Sequence, residues 1–174
     1  MIILKLLSKL LSILRAGPSP AQIAGGFTLG MFLGLMPFLN LYSLLIFLLL
    51  VLINVNISAA MLSWAVFSLF AYLFDPVFHH LGYYLLVQVN WLQGFWTSLY
   101  NVPVFPLTRF NNTVVLGSFV ISLLLTVPIF LLARLGVVRY REKLEPRVQK
   151  LRVIQILKSS KIYEFYQRVR ALGI

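Results

Sequence analysis

Cysteine is absent from this 174-residue sequence, and acid is nearly so: four Asp and Glu stand against fifteen Lys and Arg. Without cysteine there is no disulfide framework, no thiol redox chemistry and no thiolate metal site. Charge of either sign is scarce too, at 11% of residues, less than half the ~25% of ordinary globular chains. Apolar residues make up 60%, and the mean hydropathy is +0.92. A soluble domain of about 150 residues still exposes roughly a third of the surface its unfolded chain shows, which this composition cannot leave in water. The expectation is an integral membrane protein. No G-x-S-x-G, H-E-x-x-H or G-K-[ST] motif occurs, so the sequence predicts no enzyme, no cofactor and no metal.

The placement of the charge explains the net +11. Lys5, Lys9 and Arg15 open the chain, and eleven of the fifteen bases lie from Arg134 onward. Between Gly17 and Ala133 the only charges are Asp75 and Arg109. Basic residues flanking membrane spans favour the cytoplasmic side, so both termini are expected there. Positive charge is also favourable beside anionic lipid, by about 1 kcal/mol per residue near the surface. A bilayer with anionic lipids is therefore the expected partner, and no nucleic acid is required.

Three regions follow. Residues 1–16 place Lys5, Ser8, Lys9, Ser12 and Arg15 on one helical stripe, the pattern of an interfacial amphipathic helix. A cleaved signal peptide fits less well, because polar residues interrupt the apolar run and no A-x-A-like site follows. Residues 17–137 form the membrane domain, and 138–174 a basic cytoplasmic helical tail. Within the domain, the uncharged stretch 21–55 would make one helix of ~52 Å, too long for a ~30 Å hydrocarbon core. Met36-Pro37-Phe38-Leu39-Asn40 must break it into a hairpin that either crosses or is re-entrant. The expected crossings are 21–36, 40–55, 57–74 and 113–134, or only the last two if the hairpin is re-entrant. Asp75-Pro76 is expected to end the third helix, and 77–99 to lie in the interface among the Trp and Tyr residues of an aromatic belt. The predicted class is thus all-α and polytopic.

Several residues are candidates for function. Gly26, Gly30 and Gly34 make a bare ridge that permits close helix approach. The helix at 41–53 is its expected partner, with a subunit contact or a lipid path as the alternative. Pro37 and Asn40 form the hairpin tip, either as a plain turn with Asn40 capping the next helix or as a site where free backbone groups meet a ligand. Asn54 and Asn56 mark a polar turn. Asp75 reads as an N-cap before Pro76, with a membrane-embedded functional carboxylate as the rival. His79 follows it at i+4, a proton or metal pairing with too few ligands to close a site. Arg109 is a loop residue or a partner for Asp75. In the tail, Ile162, Phe165, Tyr166 and Val169 share one helical face that seeks cover from membrane or partner.

A resemblance can be read from these motifs. Ser19-Pro20, the Gly34-Leu35-Met36-Pro37 step, an apolar helix closing near Asn54 and Asn56, and Asp75-Pro76 followed by Leu81-Gly82 resemble a bacterial domain-of-unknown-function family. Its members are small, glycine-rich, polytopic inner-membrane proteins. The likeness covers roughly residues 18–90. The chain is most similar to a subgroup encoded beside a large envelope protein. The resemblance implies a non-enzymatic inner-membrane subunit that anchors or feeds that larger partner, probably in lipid transport between membranes. It implies no catalytic residue. Many members carry Asn-Pro where this sequence has Asp75-Pro76. A small homo-oligomeric transporter or channel is the alternative function.

Overall fold

Helices begin where the sequence supplies caps. The structure, a computed structural model, describes residues 18–37 and 40–144. The predicted amphipathic segment 1–16 and the tail face of Ile162, Phe165, Tyr166 and Val169 lie outside these residues. Ser19 caps α1 (Pro20–Leu35): its hydroxyl accepts from Gln22 N–H, while Gln22 Oε1 accepts from Ser19 N–H. This reciprocal box satisfies two orphan donors, and Pro20 sits where its missing N–H costs nothing. Asn40 caps α2 (Leu41–Leu52) and Asn56 caps α3 (Ile57–Tyr83) in the same way. A π-helical turn, Tyr84–Gln88, extends α3, and a break at Val89 leads into α4 (Asn90–Tyr100). A short 3-10 turn, Phe105–Thr108, precedes α5 (Thr113–Arg139). Every regular element among the described residues is helical.

Among the described residues, only α3 with its π turn (Ile57–Gln88) and α5 with its own (Thr113–Glu142) are long and apolar enough to cross a membrane. At 1.5 Å per residue, α1 and α2 are about 24 and 18 Å long, short of the ~30 Å core. The chain divides into two compact units at Leu135/Gly136. In the first, α1 packs most extensively on α3.

The glycine ridge sets that contact. A Cβ at Gly26 would overlap the Asn56 carbonyl, one at Gly30 the Ala60 carbonyl, and one at Gly34 the Phe67 side chain. The ridge therefore faces α3, not the helix at 41–53. The leucine-rich α2 has a single small residue, Ser43 beside the tip, and no row of them to match the ridge. Ala59, Ala60 and Ser63 of α3 do, and all are buried. Ser63 Oγ also donates to the Phe27 carbonyl, at 2.5 Å, a polar tie between helices of the kind used where hydrophobicity gives no pull.

Both numberings rise together along this contact, so α1 and α3 run parallel. The hairpin α1–α2 consequently ends beside Phe67. Beyond that point α3 continues for another ~24 Å to Tyr83. α2 also meets the Phe105–Thr108 turn, so the hairpin reaches the loop that leads into α5, although each of its helices is shorter than a ~30 Å core.

A second glycine contact joins α3 to α5. A Cβ at Gly82 would overlap the Thr113 carbonyl, and one at Gly117 the Phe78 carbonyl. The pairing is reciprocal and antiparallel. Between hairpin and α5, Tyr42 stacks on Phe119 at 4.4 Å and Phe32 meets the same ring edge-on at 6.4 Å. Met31, Leu35, Met36 and Phe78 complete this core.

Asp75-Pro76 does not end the third helix. α3 runs through Pro76 to Tyr83, and the interfacial helix starts only at Asn90. A proline inside a helix removes one N–H and leaves one carbonyl, that of Tyr72, without its partner. Ending the helix there would leave up to four carbonyls and four N–H groups to satisfy, which is far worse in an apolar medium. Packing of Phe78 and Gly82 on α5 then holds the helix together past the break.

These contacts give a graded expectation for alanine substitutions. Gly30→Ala and Gly82→Ala force backbones apart and should each destabilise by about 1–3 kcal/mol. Gly94 has nothing within 4 Å of its Cβ position, so Gly94→Ala should stabilise α4 by about 0.5–1 kcal/mol. Thermal unfolding of the three variants in one detergent measures this. Equal midpoints for all three would show that the two ridges do not hold the helices.

Candidate functional site

Four places collect the predicted residues. At the hairpin tip, Pro37 O accepts from Asn40 Nδ2 and from Ser43 Oγ, the latter at 3.3 Å. Asn40 Oδ1 accepts from Ser43 N–H at 2.9 Å, and Ser43 is 3% exposed. Among the described tip residues, Asn40 spends its carboxamide on Pro37 O and on the first turn of α2.

At the opposite end of the hairpin, Asn56 N–H donates to Gln22 O at 3.0 Å, tying the start of α3 to the first turn of α1. Asn56 Oδ1 also accepts from Ala59 N–H, at 2.8 Å. A cleft of about 340 Å³ lies here between Pro18, Gln22, Asn54 and Ser58. Asn54 is exposed on its rim.

The seam between α3 and α5 carries the ionisable residues. Asp75 is half-buried within α3 rather than at a helix start, so it caps nothing. Its carboxylate makes no hydrogen bond or ion pair among the described residues. The pairing with Arg109 is not formed. His79 Nδ1 instead hydrogen-bonds Thr113 Oγ1 across the seam at 2.7 Å. His80 Nδ1–H donates to Pro76 O at 2.6 Å, back along its own helix. Among the described residues no three His, Cys, Asp or Glu gather around a common point.

Arg109 lies exposed in the loop before α5, with a left-handed backbone (φ 56, ψ 30). It ends the Phe105–Thr108 turn by donating its N–H to Pro106 O, and its carbonyl accepts from Asn112 N–H at 2.8 Å. A non-glycine residue in this conformation costs roughly 1–2 kcal/mol. The loop is held by rings around buried Phe110: Trp96 stacks on it at 5.8 Å, and Tyr100 and Phe105 meet it edge-on. Trp96 Nε1–H donates to Leu85 O at 2.9 Å. These bonds fix α4 and the loop against the upper end of α3, while Trp91 stands 81% exposed on the other side.

Below the glycine contact, α3 and α5 separate. Phe67, Phe70, Phe74 and Val77 on one side, with Ile121 and Leu125 on the other, line an apolar groove of about 400 Å³. Sequence reasoning missed this feature, along with the glycine contact that creates it. Gly82 and Gly117 are 35 positions apart, and no spacing rule pairs them.

Comparison with known proteins places the chain among bacterial proteins. The family model described as "Uncharacterized protein conserved in bacteria (DUF2062)" matches residues 5–145. An "Uncharacterized protein" of Treponema pallidum (strain Nichols) is 30% identical over 147 residues, which cover 84% of this chain and 90% of the relative. No solved structure matches. The family match takes in the α1–α2 hairpin, the two helices long and apolar enough to cross a membrane and both glycine contacts, well over half of the sequence, and the chain belongs to the bacterial family DUF2062.

Proposed function

We propose that this chain is a non-enzymatic subunit of a bacterial inner membrane that anchors or feeds a larger envelope protein in lipid movement. Both termini are cytoplasmic, α3 and α5 cross, and the hairpin enters and leaves on the cytoplasmic side. The observation that carries the reading is a short apolar hairpin held through its glycine ridge against α3, one of two helices long and apolar enough to cross, with an apolar groove left open beside it. Such a body offers hydrocarbon surface to lipid. The base-rich sequence from Arg134 onward supports the orientation. The segment 89–112, aromatic and bearing Arg109 as its only charge, suits the far interface.

The subunit reading is tested by purification from native membranes under mild conditions. One large partner in fixed stoichiometry is expected. Recovery of self-assemblies alone would overturn it and favour the homo-oligomeric transporter or channel.

Topology can be read from single-cysteine variants, because the chain has no cysteine of its own. With an impermeant thiol reagent on intact cells, Asn111→Cys should label, while Pro37→Cys at the tip and Ser159→Cys in the tail should not. Labelling at position 37 would restore a crossing hairpin, and labelling at 159 would invert the orientation.

Asp75 is what favours the transporter alternative. A carboxylate without a partner inside a spanning helix is a functional candidate by default. Since it caps nothing, the subunit reading expects Asp75→Asn and Asp75→Ala alike to keep protein level and activity in a deletion strain under envelope stress. A stable Asp75→Asn protein with no activity would make transport the better account.

A further inference from the structure

We infer that the groove between α3 and α5 seats one acyl chain of a phospholipid whose phosphate lies toward Arg109. The inference rests on the reading above that α3 and α5 cross a bilayer, and it adds a defined ligand site to that reading.

The groove follows from unequal spacing of small residues. Gly82 and Gly117 let the two helices touch backbone to backbone at one level. One turn further along α5 the facing residues are Ile121 and Leu125, which hold the helices apart. Among the described residues of the hairpin only Leu35 lines the gap, at its floor. The outer walls stay open: Phe70 is 48%, Phe74 44% and Val77 50% exposed. At about 400 Å³ the space falls within the ~300–1,000 Å³ of small-ligand sites. From Phe67 to Val77 it runs about 15 Å along α3, a length that suits an extended hydrocarbon chain.

Position and charge decide the occupant. At hydrocarbon depth no water is at hand to fill such a space, and its walls offer water no partner, since an apolar cavity stays dry. Acyl chains surround it on the open side. Toward the glycine contact, the chain emerges near Thr113, four residues after Arg109. Arg109 is the only charged side chain between Pro76 and Ala133. It is exposed, a loop packed around Phe110 holds it in place, and the half-buried Asp75, further down the α3–α5 seam, makes no pair with it. A guanidinium is the side chain best suited to phosphate oxygens. A free fatty acid would share the hydrocarbon part, so the phosphate contact is tested separately.

The test uses the full-length protein in nanodiscs of phosphatidylethanolamine doped with phosphatidylglycerol carrying a diazirine in its acyl chain. Photo-adducts are mapped by mass spectrometry. Adducts on Phe67–Val77, Ile121 and Leu125 should exceed those on the lipid-facing Leu44, Leu45 and Leu48 of α2 about tenfold, the ratio that 1.4 kcal/mol of preference gives. Ile121→Trp fills the groove and should bring its labelling down to the α2 level, whereas Leu132→Trp on an exposed position should not. Arg109→Gln should reduce groove labelling by the phosphatidylglycerol probe and leave labelling by a diazirine fatty acid unchanged. Even labelling of groove and α2 would overturn the site while leaving the membrane reading intact. Absence of adducts from both α3 and α5 would overturn the membrane reading itself. Unchanged labelling in Arg109→Gln would remove the phosphate contact. The wild-type map decides the acyl-chain site even if Ile121→Trp fails to fold.

Discussion

Contact between helix backbones at glycine is the constraint on which the other features depend. In hydrocarbon, apolar side chains gain nothing by leaving lipid for one another, so helix association relies on close van der Waals approach and a few polar ties. Gly26, Gly30 and Gly34 bring α1 onto α3, while Gly82 and Gly117 bring α3 onto α5. The first contact sets how deep the hairpin sits, because it fixes α1 beside the first third of α3. The second sets where α3 and α5 touch, and therefore where they part. The groove exists because these two contacts lie at different heights on the same helix.

A second constraint is that backbone groups must be satisfied where water is missing. It accounts for Pro76, since one unpaired carbonyl costs less than two new helix ends. It also accounts for the hairpin tip. Pro37, Asn40 and Ser43 form a closed set of hydrogen bonds, and Tyr42 lies against Phe119 of α5. Several buried hydroxyls follow the same rule: Thr28 and Ser118 bond to carbonyls of their own helices, and Ser63 to one on α1, whereas the Ser122 and Tyr140 hydroxyls have no partner among the described residues. Against this background the unpartnered Asp75 is conspicuous among the described residues, and it is the feature that keeps a transport reading in play.

Charge does a separate job. Apart from the half-buried Asp75 it is sparse in the packed region and concentrated at the chain ends. The aromatic segment from Asn90 to Phe110 has Arg109 as its only charge. Trp96, Tyr100, Phe105 and Phe110 interlock, and the strained backbone at Arg109 is stabilised by the turn that it ends.

Much of this was legible in the sequence. The excess of apolar residues, the uncharged interior, the proline break at Pro37, the Asn40 cap and the polar turn at Asn54–Asn56 are local or compositional, and periodicity and helix-end chemistry suffice to read them. The glycine ridge was legible as a ridge, but not its partner. A bare stripe says that something approaches closely, and the match lies in small residues of another helix. Asp75-Pro76 was misread as a helix boundary because the local rule for proline is sound. Long-range packing of Phe78 and Gly82 on α5, more than thirty residues away, overrode it. The groove could not be read at all, since it is a gap between helices, and its shape depends on the heights at which two separate contacts fall. Sequence by itself determined which segments are helical and which medium they suit, because those follow from each residue's own chemistry. Tertiary structure alone decided which helices touch, how deep the hairpin goes and where space is left, because those follow from which surfaces can approach without overlap.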